Sequence, residues 1–426
     1  MRKMKDSGIP WIGEIPKDWE VGRIAQLYSE RKEKVSDIDY PPLSVTMKGI
    51  VPQLSTAAKT DAHDDRKLVR KGDFTINSRS DRRGSCGISQ YDGSVSLINT
   101  ILAPRGEMNP VYYDWLFHST MFSDEFYKWG HGIVDDLWTT NWQDMKRISI
   151  PVPSVQEQKR IADHLDTECA RIDAVMEQTR ASIEEYKKLK QSIITEAVTK
   201  GIHPNRPMKD SGIDWIGTIP KEWKVRPLKN IISLIESGVS VNAAQHAANE
   251  AEIGVLKTSC VSKFVFIPSE NKAVDADELA RVSCPVKANT LIVSRMNTPD
   301  LVGACGYVEK DYVNLFLPDR LWQVHFSDGI SVKYIWYYMN NRQIRSYYGS
   351  LAVGTSSSMQ NISQDQFYNT LALMPDREEQ NEIVCYLDRY IGEIDSAIRH
   401  KENLCSEMEA YKKSLIFEYV TGKKEV

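Results

Sequence analysis

The chain has 426 residues, 41% hydrophobic and 26% charged, a globular balance that excludes a disordered, collagen-like or membrane-spanning protein. No run of about 18 apolar residues predicts a transmembrane helix, and a formal net charge of −4 argues against a generally nucleic-acid-adhesive protein while leaving room for a local basic surface. Seven cysteines lie singly with no C-x-x-C pair, which speaks against a disulfide framework or zinc ribbon and for a reducing cytoplasm.

The first stretch, MRKMKDSGIPWIG, carries charge without a following apolar core, so no secretory signal is expected. Residues 4–21, MKDSGIPWIGEIPKDWEV, return at 208–225 as MKDSGIDWIGTIPKEWKV, identical at 14 of 18 positions with an offset of 204. A second repeat has an offset of 222: PSVQEQKRIADHLDTECARID from Pro153 and PDREEQNEIVCYLDRYIGEID from Pro375. Here Glu157, Gln158, Ile161, Leu165 and Asp166 match Glu379, Gln380, Ile383, Leu387 and Asp388. The chain is therefore two copies of one unit, the second longer by 18 residues in its middle.

The middles have diverged. RKGDFTINSR at 70–79 echoes VKANTLIVSR at 286–295, Trp115 echoes Trp336, and Gly132 echoes Gly354. β-like runs at 43–47, 74–77, 95–102 and 291–294 mix with amphipathic helical runs at 111–129 and 332–348. Each middle reads as a compact α/β (α+β) domain. A constant frame around a variable insert suggests one binding domain in two versions, for two targets.

Residues 155–199 and 377–420 are predicted long helices. Apolar residues recur at three- and four-residue steps, from Ile161, Leu165, Ile172 and Met176 to Ala197, and from Ile383, Leu387, Ile394 and Ile398 to Tyr419. Ser154 with Glu157, and Asp376 with Glu379, form capping-box-like starts. Gly201 and Gly422 stand just past the ends. Such helices, roughly 67 Å long at 1.5 Å per residue, need a partner for their stripe, and the two copies can pair antiparallel. The stretch GIHPNRP at 201–207 joins the first helix to the second copy.

Catalytic signatures are missing: there is no P-loop, no G-x-S-x-G and no H-E-x-x-H. Asn109-Pro110-Val111-Tyr112 comes close to a methyltransferase N-P-P-Y motif, but no F-x-G-x-G loop precedes it, and it reads as a helix start. His164 and Cys169, on the charged helix, read as solvated or packing residues. No catalytic, cofactor-binding or metal-ligating residue is assigned.

Local charge says more. Residues 66–83 hold seven basic side chains against Asp73 and Asp81, a net +5. Asn77, Ser78, Arg79, Arg82 and Arg83 are the candidates there for phosphate and base-edge contacts. In the second copy Ser294, Arg295 and Asn297 fill the matching region, and the polar loop with Thr355, Ser356, Ser357, Ser358, Gln360 and Asn361 aligns with 132–139.

Two motifs, each present twice, carry a resemblance. W-I-G-x-I-P-x-x-W (11–19 and 215–223) and P-x-x-x-E-Q-x-x-I-x-x-x-L-D (153–166 and 375–388) resemble the specificity subunit of type I restriction–modification systems. The resemblance covers the whole chain in the family's order. It implies target-recognition domains at 1–153 and 202–375, and conserved helices at 154–201 and 376–426 forming an antiparallel coiled coil. It further implies that each domain reads one half of a bipartite double-stranded DNA site, and that this chain is not itself an enzyme. Two methyltransferase subunits would bring S-adenosylmethionine, restriction subunits would bring ATP and Mg chemistry, and this chain would hold no cofactor. The helices' charged faces and the Trp/Pro elements are then candidates for docking the methyltransferase subunits. Two other readings stand beside this one: a coiled-coil adaptor that binds only proteins, and a self-contained adenine methyltransferase or nuclease, which the missing cofactor loop disfavours.

Overall fold

The computed structural model describes residues 2–55, 63–132, 138–356 and 359–426. The chain divides into two compact units, Met1–Ala181 with Lys401–Val426, and Ser182–His400. The boundary falls inside both long helices, Val155–Lys200 and Arg377–Val420, so each unit holds the start of one and the end of the other. Among the described residues no helix is long and apolar enough to cross a membrane.

Unit 1 is built on a four-stranded antiparallel sheet in the order Cys86–Ile88, Phe74–Asn77, Asn99–Pro104, Tyr28–Glu30. Phe74–Asn77 is buried along its whole length, its polar Thr75 and Asn77 included, as befits a central strand. The expected run at 95–102 is two strands, Gly93–Val95 and Asn99–Pro104, because the Asn99 N–H turns back onto the Ser96 carbonyl at 3.1 Å. The helical run at 111–129 is likewise two helices, Pro110–His118 and Thr120–Lys128. Asn109 caps the first, accepting from the Val111 N–H at 2.9 Å with Pro110 at the first helical position, so the N-P-V-Y stretch is a helix start. Ser119 is extended, and its hydroxyl caps the second through the Phe122 N–H.

The core of this unit is a chain of aromatic rings. Phe74 meets Phe117 at 5.0 Å between centroids, Tyr112 meets Tyr113 at 4.9 Å, and Phe117 meets Phe122 at 4.5 Å. Each such pair adds about 1 kcal/mol beyond the area it buries. Ile161, Leu165, Ile172 and Met176 from the first long helix close this core with Leu415, Ile416, Tyr419 and Val420 from the second. The two stretches run antiparallel here: Asp173 pairs with Lys412 at 2.7 Å, and farther along Arg180 pairs with Glu409 at 2.7 Å. His164 packs on Tyr419, and Cys169 is buried beside them.

Unit 2 repeats the sheet. Its order is Cys305–Val308, Thr290–Ser294, Leu321–Phe326, Ile232–Ser237, again all antiparallel. The weak echo between 70–79 and 286–295 is thus the same central strand in both copies. The run at 332–348 is broken into Val332–Met339 and Arg342–Leu351, with Asn341 capping the second at the Gln343 and Ile344 N–H groups. A second sheet with a parallel pair, Gly254–Leu256 beside Tyr312–Phe316, lies within the longer middle of this copy. Ile183, Ile394 and Ile398 cluster where the helices meet, and Lys190 pairs with Asp395 at 2.7 Å.

Candidate nucleic-acid interface

The repeat motifs prove to be anchors. The Ser154 hydroxyl and the Asp376 carboxylate cap the long helices by accepting from the Glu157 and Glu379 N–H groups. The capping boxes stop at that half, because the two glutamate carboxylates are taken up elsewhere. Trp19 Nε1 donates to Glu157 at 2.9 Å and Trp223 Nε1 to Glu379 at 2.8 Å. Arg2 and Arg206 complete each trio with salt bridges to the same carboxylates. These hydrogen bonds raise both guanidinium pKa values despite burial. Gln158 and Gln380 each donate to the proline carbonyl that opens the helix, and each accepts the N-cap N–H of a domain helix, Asn109 or Ser331.

Trp19 and Trp223 are 1% and 0% exposed, and Trp11 is 8% exposed. The expectation that the Trp/Pro elements dock partner subunits is therefore corrected for these rings, which belong to the core. Arg2 and Arg206 escaped the sequence reading although they stand at the same offset of 204, just ahead of the repeat.

The basic stretch divides into an inner and an outer part. Arg66 donates Nε to the Ser94 hydroxyl at 2.8 Å, and Lys67 donates to the Asn99 carbonyl at 2.6 Å. Burial lowers the pKa of both, and both serve the fold. Asn77 and Ser78 are buried as well. The Asn77 Oδ1 accepts from the Arg79 N–H, and the Ser78 hydroxyl meets that of Thr100 at 2.9 Å, so they shape the loop from inside.

Arg79 is half-buried, and its backbone bridges Thr139. Arg82 and Arg83 carry the outward charge, with side chains 68% and 58% exposed. Their ion pairs with Asp81 and Asp124 are long, 3.5 Å each, and exposed, so they hold the guanidinium groups only weakly. Arg83 also lies over the Tyr127 ring at 5.2 Å. Both arginines line a groove of about 570 Å³ together with Asn77, Ser96, Asn99 and the first strand, Leu43–Thr46, of the hairpin Leu43–Thr46/Gly49–Pro52.

In unit 2 the central strand ends in the same way. Ser294 is fully buried and accepts from Asn297 Nδ2 at 3.3 Å. The strand Met296–Asn297 then pairs with Met359–Asn361, setting Asn297 beside Gln360 and Met296 beside Asn361. Val353–Ser356 is the third strand, so the backbones of Thr355 and Ser356 lie in this sheet, while Ser357 and Ser358 fall outside the described residues. Arg295 lies over the Trp322 ring at 5.9 Å, and its Nε is buried with no hydrogen-bond partner among the described residues. Asn297, Gln360 and Asn361, from segments far apart in sequence, thus share one small sheet, and Arg295 stands just ahead of it, its carbonyl accepting from the Ile362 N–H at 3.1 Å. Sequence reasoning missed Lys257, Lys272 and Arg320, which line a groove of about 370 Å³ nearby; the Arg320 carbonyl accepts the Arg295 N–H. Arg320 holds the place before its strand that Ile98 holds in unit 1, and that shared offset of 222 was the available signal.

Comparison with known proteins adds an independent line. Residues 16–185 match the family model described as type I restriction modification DNA specificity domain. The MjaVIII specificity subunit of Methanocaldococcus jannaschii is 24% identical over 424 residues, covering 97% of this chain and 94% of that protein. The EcoKI specificity subunit of Escherichia coli K12 is 24% identical over 270 residues, 60% of this chain and 55% of its own. Among solved structures, a chain described under the structural basis of complex assembly and conformational transition of the type I R-M system superposes with a TM-score of 0.71 at 14% identity, covering 96% of this chain and 99% of that one. The HsdS subunit from Thermoanaerobacter tengcongensis gives 0.53 at 16% identity, over 96% and 98%. The repeat architecture, the doubled anchor motifs and these matches agree, and along nearly its whole length the chain is similar to type I restriction–modification specificity subunits.

Proposed function

We propose that this chain recognises DNA sequence for a type I restriction–modification complex, each unit reading one half of a bipartite duplex site. The carrying observation is that the same central strand ends, in both units, in an arginine next to a returning polar loop: Arg79 beside Thr139, and Arg295 beside the strands of Asn297, Gln360 and Asn361. A fixed strand that delivers an arginine, flanked by amide side chains, suits phosphate and base-edge contacts. Because the two loops differ in sequence, the two half-sites differ.

In this reading the two long helices form one antiparallel coiled coil that sets the spacing between half-sites. The antiparallel pairing within each unit supports it. The chain docks two methyltransferase subunits, which carry S-adenosylmethionine, and restriction subunits, which carry ATP and Mg. It contributes no catalytic group of its own, and it works in the cytoplasm.

Reconstitution tests this directly. Labelled methyl transfer to DNA should require both this chain and methyltransferase subunits, and methylation-aware sequencing should report one bipartite motif. Methyl transfer by the chain alone, or motif-independent methylation by the complex, would overturn the proposal.

A further inference from the structure

The groove of unit 1 has a feature that its counterpart in unit 2 lacks. Three large apolar side chains on its lining stay in solvent: Met47 is 72% exposed, Leu54 47% and Ile98 38%. Single exposed apolar residues need no explanation, but three on one groove, sharing its lining with Arg82 and Arg83, mark a contact surface. The unit 2 groove presents Lys257, Lys272 and Arg320 in its lining, and none of its large apolar residues is among the exposed ones.

Met47 is held out, and it is held firmly. With Lys48 it forms the two-residue tip of the hairpin Leu43–Thr46/Gly49–Pro52. The Thr46 hydroxyl donates to the Gly49 carbonyl at 2.8 Å and accepts the Lys48 N–H at 3.1 Å, tying the tip. The Leu54 N–H donates to the Ser44 hydroxyl at 3.1 Å, tying the strand that leaves it. Beneath the tip the hairpin rests on the strand Cys86–Ile88: a Cβ on Gly87 would come within 2.8 Å of the Gly49 Cα, so only glycine permits this seat. An apolar probe is thus fixed on a rigid support, with little ordering left to do on binding.

Apolar side chains beside exposed, weakly held guanidinium groups match the major groove of duplex DNA. Its edges are phosphates, and its one apolar feature is the thymine C5-methyl group. Resting on the reading of unit 1 as a DNA-binding unit, we infer that Met47, backed by Ile98 and Leu54, reads a thymine methyl in the first half-site while Arg82 and Arg83 hold flanking phosphates. The two half-sites are then read by unlike chemistry, apolar in one and cationic in the other.

The test uses the chain assembled with methyltransferase subunits and a library of randomised duplexes. If the wild-type complex selects no bipartite site, the DNA-reading function itself fails. If it selects one, Met47→Ala should relax a single A·T pair in one half-site, weakening binding roughly fivefold, the size of one buried methyl contact. The other half-site should be unchanged. Replacing that thymine by deoxyuracil should weaken the wild-type complex by the same factor and the Met47→Ala complex hardly at all. Met47→Gln, of similar length but polar, should behave as Met47→Ala, and neither should shift the melting temperature, because the side chain lies in solvent. Unchanged selectivity, relaxation at a G·C pair or in both halves, or independent losses from the protein and base changes would overturn the inference.

Discussion

Trp19 and Glu157 stand 138 residues apart, yet the indole N–H of one is hydrogen-bonded to the carboxylate of the other in a buried setting. The bond fastens the repeat element to the start of the long helix, and Trp223 with Glu379 repeats it. Two motifs that look independent in the sequence are thus two halves of one joint.

Trp19→Phe keeps an aromatic ring but removes the donor and part of the buried indole volume. It should cost at least about 1.5–3 kcal/mol, the value of a hydrogen bond to a charged group, with the cavity adding to it. Glu157→Ala should cost more, about 3–5 kcal/mol, because it also leaves the Arg2 guanidinium without its main partner. Denaturant titration of both single variants and the double variant should show strong non-additivity. Additive losses would separate the two residues.

The arginines should sort by exposure. Arg83→Ala, on the exposed side of unit 1, should weaken binding to all DNA sequences alike and lower the salt slope by about one. Arg295→Ala should cost about 1–3 kcal/mol and change the preferred base at one position of the other half-site. Binding measured between about 50 and 200 mM salt on matched and mismatched sites distinguishes the two.

The thiols should react in order of burial. Burial pushes Cys169 up to about 11, Cys284 and Cys305 up to about 12, and raises Cys86 and Cys260 as well. Cys385 is the exposed cysteine. Since the thiolate is the reactive form, native protein at pH 8 should show one fast-reacting thiol, and Cys385→Ser should remove that phase. Several equivalents reacting at once would mean that the cores open readily.

Removing one heptad from each long helix at matched heights should keep the stripes in register. It shortens a paired coil by about 10.5 Å, or roughly three base pairs at 3.4 Å each. The original site should be lost, and the site selected by the variant complex should keep both half-sequences around a spacer shorter by about three. Continued preference for the original spacer would show that the helices do not set it.

Much of this fold was legible because period and repeat are strong signals. The stripe from Ile161 to Ala197 gave the first helix, observed at Val155–Lys200. Phe74–Asn77 was visible as a short β-like run. The breaks at Ser119 and Asn341 were not, because a capping side chain inside an apolar run leaves the helical spacing on either side almost intact. Nor could composition sort the basic stretch: Arg66 and Arg83 carry the same charge in the sequence, and only packing turns one toward Ser94 and the other outward. The candidate site of unit 2 was read as two separate segments, since strand pairing between Asn297 and Gln360 has no sequence signature.

Gly201 and Gly422 end the two long helices at φ of +76° and +69°. Gly201 lies against Trp223, in the unit where a short peptide, 201–207, leads on to the next repeat element. Gly422 lies against Pro16 and Trp19 in the other unit. Each long helix thus ends on a left-handed glycine seated against the tryptophan of a repeat element, where any side chain would strain the backbone and meet the indole. The ends of the two helices are therefore the places where the smallest addition, a single methyl group, would disturb the most.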